Sequence, residues 1–499
     1  MTTEKSKTPE VKTFRKPTFA ESVIVALALF VPIVVGNIFL HYHIILMLVV
    51  AAIIAGIMSL RIGWRWKEMQ DAIIKMLDGA MPCVFILFLI GMVVGSFMFA
   101  GAIPMLIYYG MKLMNPRMLA PSALVICSVL SLATGSSWTS AGTAGIALMG
   151  IAIGMDVPLS PVLGAIVAGA VIGDKLSPLS DTTNLAAMST GVYLYDHIWS
   201  MMWTTVPAFI IAFAIYTIYS LVNLPSDMGT SENFVLLVQN LDAIFNWNVA
   251  LLIPFVIMIG GALLKYPPVP CMLASAFSAV LLGVFVQGFS MSNGIASLMS
   301  GFNTNMIARA GVDAANLSPT VIKLLHRGGM FSMFYTICIV FSAYSYTGIA
   351  KNAGYFDVLM EKMISRDASR GKTVLIAVIS GLFLTVFGGI SYIPIVMLGT
   401  LFKKPYLRHN LDLRCLSRTC EDTGTMTISI VPWSSSGVYY FGIFGVSVAT
   451  FAPWVIIPFI SPLLAVFYGY TGIGMYTLPP EQAQHQLAEL NAEKEAVAA

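Results

Sequence analysis

The sequence predicts an all-α polytopic membrane protein of two inverted-topology repeats, with discontinuous helices and re-entrant hairpins. Three observations carry that expectation. Apolar residues come in blocks near the length that spans a bilayer, several blocks are cut short by glycine, proline and hydroxyl residues, and marks in the first half recur in the second at a near-constant offset.

The blocks come first. Charged residues make up 10% of the 499 positions and hydrophobic types 58%, with a mean hydropathy of +0.84, whereas about a quarter of a soluble domain is charged. Ser22 to Leu40, His43 to Leu60, Met81 to Ala100 and Trp203 to Val222 approach the roughly 20 residues that cross a hydrocarbon core. The solvent of this chain is lipid. A net charge of +3, with Lys and Arg confined to short loops, provides no basic stripe and excludes nucleic acid as a partner. The six cysteines fit no zinc spacing and read as packing residues.

The polar start (Lys5, Lys7, Lys12, Arg15, Lys16) precedes a first span too long for a signal-peptide core. It predicts a retained anchor with a cytoplasmic N-terminus. Arg61, Arg65, Lys67 and Lys75 after the second span agree with that orientation.

Further blocks are shorter: Ser122 to Thr134, Ala141 to Met155, Pro161 to Gly173, Val249 to Leu264, Val269 to Val286, Met330 to Ile349, Val374 to Phe387, and two or more between Gly437 and Tyr468. Short, Gly- or Pro-interrupted segments point to broken or re-entrant helices. Ala100-Gly101 matches Ala353-Gly354, Thr134-Gly135 matches Phe387-Gly388, and Pro178-Leu179-Ser180 matches Pro432-Trp433-Ser434, at offsets of 253, 253 and 254 residues. The loop after Gly101 holds Lys112 and Arg117, while its counterpart holds Lys351, Lys362, Arg366, Arg370 and Lys372. That imbalance places equivalent loops on opposite sides, as inverted repeats require. The expected organisation is a cytoplasmic tail at 1–19, a first repeat at 20–223, a connector at 224–246, a second repeat at 247–475 and a polar, solvated tail at 476–499.

Three polar stretches interrupt the apolar text: 134–143, 173–184, and 421–425 continuing to 432–437. An ionised Asp within lipid costs roughly 2.5–3.5 kcal/mol on insertion scales, so Asp174 and Asp181 must face protein or water. Gly135, Pro178, Gly388 and Pro432 are the expected helix breakers. Pro178 removes a donor and frees carbonyls, and Asp181, Thr182, Thr183 and Asn184 add oxygens nearby. Such a shell suits Na⁺ around Asp181. A half-helix starting there would favour an anion instead, such as a substrate carboxylate. Desolvation and a bound cation act oppositely on such a carboxylate, so proton and cation compete for it. Asp181 is the preferred shared cation/proton site, Asp174 the next, and Asp422 serves the second half.

Blander readings stand beside these. Asp174 with Lys175 also reads as an ordinary pair at a loop mouth, and Asp422 as a neutraliser of Arg414 and Arg418. The small-residue run near Thr134 serves close helix packing as well as a site. Ser136, Ser137, Thr139, Ser177, Ser180, Ser391, Thr425, Ser434, Ser435 and Ser436 are the expected lining. Trp138, Tyr392 and Trp433 read as interfacial or core aromatics, and His41, His43 and His326 receive no function.

The stretch Gly173-Asp174-Lys175-Leu176-Ser177-Pro178-Leu179-Ser180-Asp181-Thr182-Thr183-Asn184-Leu185-Ala186 resembles the signature of the NhaC family of sodium/proton antiporters, in the ion transporter superfamily. Segments 134–138, 416–425 and 431–433 are similar to others of that family, so the resemblance runs over roughly residues 20 to 475. It implies a multi-pass carrier of a bacterial-type plasma membrane, with inverted repeats and a re-entrant hairpin in each, exchanging Na⁺ and H⁺ by alternating access. No cofactor beyond those coupling ions is implied. Family relatives move malate- or lactate-type organic acids or amino acids, so partners are the bilayer, small ions and such a solute, with a homodimer as candidate assembly. The chain departs from the pattern at 388–394, where Pro394 perturbs the second hairpin, and at 434–437, where Ser-Ser-Ser-Gly stands in place of an Asn-Thr-Cys-Gly type and its extra hydroxyls would enlarge or re-tune a substrate pocket.

Two other classes compete. An intramembrane aspartyl protease is echoed by Tyr195-Asp196 and Gly173-Asp174, but its Gly-x-Gly-Asp motif needs glycine where Val171 stands. A channel would share the polar lining but lack stoichiometric counter-flow. The expected class is a carrier, not an enzyme.

Overall fold

The computed structural model describes residues 14–40, 42–224, 232–307, 317, 319–364 and 368–498. Lys5, Lys7 and Lys12 of the basic start, His41, Arg366 of the charged loop and residues 225–231 of the connector lie outside them. Every regular element described is helical, and the two β-bridges, Phe302 with Arg327 and Leu411 with Thr477, are isolated. Nine described helices are long and apolar enough to cross a membrane, and two further pairs are sharply bent, 102° between Phe234–Ile244 and Val249–Leu263 and 93° between Leu413–Phe444 and Val448–Trp454.

The helices form two compact units, Met1–Gly79 with Phe341–Met363, and Ala80–Val340 with Ile364–Ala499. The smaller unit holds α1 (Phe19–Val31), α2 (Ile44–Arg61), the start of α3 (Trp66–Ala100), and later chain described below. A capping box starts α1: Thr18 Oγ accepts from Glu21 N at 3.3 Å and Glu21 accepts from Thr18 N at 2.8 Å. The block predicted from Met81 extends back to Trp66, because Pro82 is accommodated inside α3.

The larger unit continues with α4 (Ala102–Leu113), α5 (Pro116–Thr134), α6 (Ser137–Ser140), α7 (Ile146–Gly154), α8 (Leu159–Leu176), α9 (Asp181–Thr190) and α10 (Leu194–Asn223). The connector contains α11 (Glu232–Ile244), which buries Leu237, Leu241 and Ile244. Then come α12 (Ile253–Leu263), α13 (Pro268–Phe285), α14 (Met291–Ser300) and α15 (Pro319–Leu325). α16 (Phe334–Asn352) and α17 (Tyr355–Met363) lie mostly in the smaller unit, where Tyr346 donates to Val25 O at 3.0 Å and Ser59 to Tyr355 at 3.4 Å. The larger unit closes with α18 (Arg370–Gly388), α19 (Tyr392–Leu401), α20 (Lys403–Arg408), α21 (Leu413–Thr423), α22 (Ser435–Phe444), α23 (Val448–Phe451), α24 (Ile457–Thr471) and α25 (Pro480–Ala498). The polar C-terminal segment is therefore helical. Leu478 N bonds Asn410 O at 2.8 Å, Lys404 reaches Asn491 at 2.5 Å, and Ala483 is buried.

One order of elements occurs twice along the chain. A long helix ends on a left-handed glycine, short helices follow, then a buried helix unwinds at a proline stretch and resumes: α5 to α9, and again α18 to α22. The left-handed residues are Gly135 (φ +68°) and Gly389 (φ +67°), 254 residues apart like Pro178 and Pro432. Gly388, the expected breaker, is instead the last residue of α18, and the turn belongs to Gly389. Pro394 sits in the first turn of α19, where its missing N–H costs no helical bond. Small residues bring α5 and α8 together: a Cβ on Gly173 would stand 2.5 Å from Leu132 N, and Ser131 donates to Ala170 O at 2.5 Å.

Candidate functional site

At the first break, α8 ends at Leu176 and Ser177 turns into extended backbone. The carbonyls this frees are taken by residues just downstream. Thr183 Oγ donates to Lys175 O at 3.0 Å, and Asn184 Nδ2 to Pro178 O at 3.0 Å and Ser180 O at 2.6 Å. Thr183 and Asn184, expected as cation ligands, thus use their donors to brace the break. Ser177 Oγ accepts from Leu179 N at 3.2 Å, and the Ser180 and Thr182 hydroxyls pair at 3.0 Å. Gly135 sits against this stretch, since a Cβ there would stand 2.7 Å from Leu179 Cβ and 3.0 Å from Ser180 N.

Two carboxylates flank the break. Asp174 is buried; its Oδ2 accepts from Ser137 Oγ at 2.7 Å, and its Oδ1 has no partner. Ser137 is fixed because it opens α6, whose cap is Ser136 Oγ accepting from Thr139 N at 3.2 Å. The Tyr440 hydroxyl, from α22, faces Ser137 and Asp174. Asp181 is exposed at the first turn of α9, where its Oδ1 accepts from Thr182 N at 3.0 Å and its Oδ2 from the Tyr392 phenol. Tyr392, read as a plain aromatic, follows the hairpin residue Ser391. The hairpin of the second half therefore reaches the break of the first.

The second break is built alike and lined differently. Ser434 caps α22, accepting from Gly437 N at 3.0 Å while donating to Ile428 O at 2.6 Å and Val431 O at 2.8 Å. Ser435 N donates to Gly389 O at 2.9 Å, and Trp433 Nε1 to Val386 O at 2.7 Å. Trp138 Nε1 points to Ser436 Oγ at 3.4 Å, its ring stacks on Tyr439 at 4.6 Å and 7°, and Tyr439 donates back to Trp138 O at 2.6 Å. From Val431 to Gly437 this break carries hydroxyls and aromatic faces and no carboxylate.

Between the breaks lies an ion pair that no spacing signals. Lys175 and Asp422 are both fully buried and meet at 2.5 Å, with Thr204 Oγ donating to the same Asp422 oxygen at 2.9 Å. Both bland pairings are overturned. Lys175 leaves its neighbour Asp174 for Asp422, and the arginines look elsewhere: Arg414 to Asp412 at 3.0 Å, Arg418 to Gly474 O at 2.9 Å and Ser200 O at 3.4 Å. Sequence reasoning also passed over Glu421, fully buried with neither oxygen bonded, and His197, whose Nδ1 meets Ser417 Oγ at 2.8 Å. The signal for Glu421 was present: two adjacent acids on one buried helix leave at least one facing protein. The Thr425 hydroxyl is buried without a partner. Among the described residues no group of three or more His, Cys, Asp or Glu is placed to hold a metal ion.

The chain matches the model of the Na⁺/H⁺ antiporter family over residues 6–183 and 169–473. It is 37% identical to an uncharacterized Na⁺/H⁺ antiporter of Haemophilus influenzae, over 87% of this chain and 91% of that one. It is 32% identical to the malate-2H⁺/Na⁺-lactate antiporter of Bacillus subtilis, over 93% and 96%. It is equally 32% identical to the arginine/ornithine antiporter of Halobacterium salinarum, over 96% and 97%.

Proposed function

Because the chain belongs to the Na⁺/H⁺ antiporter family, a family of membrane carriers, we propose that it exchanges Na⁺ for H⁺ by alternating access at the carboxylates of the first break. The observation that carries this reading is the buried Asp174 Oδ1, unpartnered beside hydroxyls and within electrostatic reach of Asp181. A proton neutralises such a carboxylate, or a cation does, but the two compete. Asp181, exposed at the mouth and held by Tyr392, shares the ion with Asp174 as the two half-sites open to alternate sides. Thr182 and the Ser137 and Ser180 hydroxyls supply neutral oxygens. We assign the repeats to residues 20–223 and 247–475, inverted in the membrane, with the N-terminus cytoplasmic and a homodimer as the assembly to test.

In proteoliposomes under an imposed Na⁺ gradient, Asp181→Asn and Asp174→Asn should each lower proton counter-flow by about tenfold or more. Unchanged proton flux in Asp181→Asn rules out its role. Because H⁺ and Na⁺ compete for one site, acidifying the medium should weaken apparent Na⁺ affinity.

A second reading is favoured by the Trp138–Tyr439 stack against Ser436. There the second break receives an organic acid or amino acid, and the first break supplies the coupling ion. The malate/lactate and arginine/ornithine relatives support it.

A further inference from the structure

Glu421 is fully buried, and neither of its carboxylate oxygens meets a hydrogen-bond donor. The charged groups acting on it are Lys175, Asp174 and Asp422. The basic side chains of this region are already committed. Lys175 is on Asp422 at 2.5 Å, and Arg418 is on the Gly474 and Ser200 carbonyls. A carboxylate that deep without a counter-charge is strongly unfavourable. Two further buried oxygens are equally unpartnered, Asp422 Oδ2 and Thr425 Oγ, and Thr425 faces Glu421. With Glu421 ionised, Glu421, Asp422 and Lys175 sum to one net negative charge, which a single monovalent cation neutralises.

We propose that Glu421 anchors a second monovalent-cation site, completed by Asp422 Oδ2 and the Thr425 hydroxyl and flanked by the resident Lys175 ammonium. Lys175 shows what the surroundings accept, since its own ammonium is held against Asp422 with Thr204 at 3.4 Å. Na⁺ and the ammonium end of a solute share that chemistry. The site rests on the reading of the chain as a cation-coupled carrier, but not on the Asp174–Asp181 exchange. Each half then contributes one ion position, and the Lys175–Asp422 pair ties the two together.

The test is equilibrium binding of radiolabelled Na⁺ and, separately, radiolabelled methylammonium to the purified full chain, with choline balancing ionic strength. The Asp174→Asn/Asp181→Asn double variant should keep about half of the saturating bound cation, and Glu421→Gln should lose about half. Whichever probe saturates the retained position identifies the source, and either supports the site. Wild-type binding of both probes by Glu421→Gln overturns it, as does a double variant that binds neither. If Glu421→Gln is not monodisperse, the double variant decides alone. A halved Glu421→Gln beside an unaltered double variant sinks the first-break reading and leaves this site standing.

Discussion

The two breaks share a scaffold and differ in chemistry. In each, a left-handed glycine closing the preceding long helix touches the unwound stretch: Gly135 lies on Leu179 and Ser180, and the Gly389 carbonyl takes the Ser435 amide. Even the packing beneath is conserved in total size while its parts trade places. Gly169 receives Cys127 in the first half, and at the equivalent positions Gly381 receives Thr423 in the second. Most side chains at the breaks differ, with Asp174 and Asp181 at one and Ser435, Ser436 and an aromatic stack at the other, while Pro178 and Ser180 recur as Pro432 and Ser434. The two breaks thus pair a similar backbone opening with different chemistry. Among the contacts that join them is a buried ion pair, Lys175 with Asp422, at positions that are not equivalent in the repeat.

That contact gives the largest expected effect. Lys175→Met strands Asp422 as a buried, uncompensated charge, which should cost about 3–5 kcal/mol in an SDS-unfolding titration of the purified chain. Adding Asp422→Asn should recover most of the loss, whereas adding Asp174→Asn should not. If Asp174→Asn is the better rescuer, the lysine pairs within its own half and the cross-half link fails.

Much of the scaffold was legible in the sequence, because lipid leaves a one-dimensional trace: block length, proline and glycine each act locally. The breaks themselves were legible for the same reason, as Pro178 and Pro432 each fall in an unwound stretch. Register to one residue was not, since Gly388 and Gly389 are both glycine and only backbone geometry says which takes the positive φ. Partner choice was legible least. Lys175 has Asp174 beside it in sequence, yet successive helical residues point about 100° apart, so its neighbour in space comes from α21. Tyr392 and Trp138 looked like ordinary aromatics because their role depends on a hairpin from one half reaching the break of the other.

A smaller effect tests whether the first hairpin tip really lies on its break. Gly135→Ala puts a side chain at φ +68°, a cost of about 1–2 kcal/mol, and drives a Cβ against Leu179. Gly135→Asn relieves most of the dihedral cost but not the contact. Both variants should therefore lose thermal stability and transport in proteoliposomes. If asparagine restores wild-type behaviour, the close approach is slack and the two glycines serve only their turns.

The smallest effect probes what the second break recognises. Trp138→Phe keeps a ring over Tyr439 and removes only the indole N–H directed at Ser436. A hydrogen bond as long as 3.4 Å belongs at the weak end of the net range, about 0.5–1 kcal/mol, so the KM for a transported solute should rise about twofold to fivefold. Malate, lactate, arginine and ornithine uptake are the assays to run. Ser436→Ala should produce the same shift, and the double variant no more than either, because both remove one interaction. The shift in solute KM should exceed any change in Na⁺ dependence, since the carboxylates proposed to hold the ions lie on α8, α9 and α21 while this pair joins α6 to α22. Equal changes in both would mean that the second break, despite its hydroxyls, belongs to the ion path, and the division of labour between the halves would have to be given up.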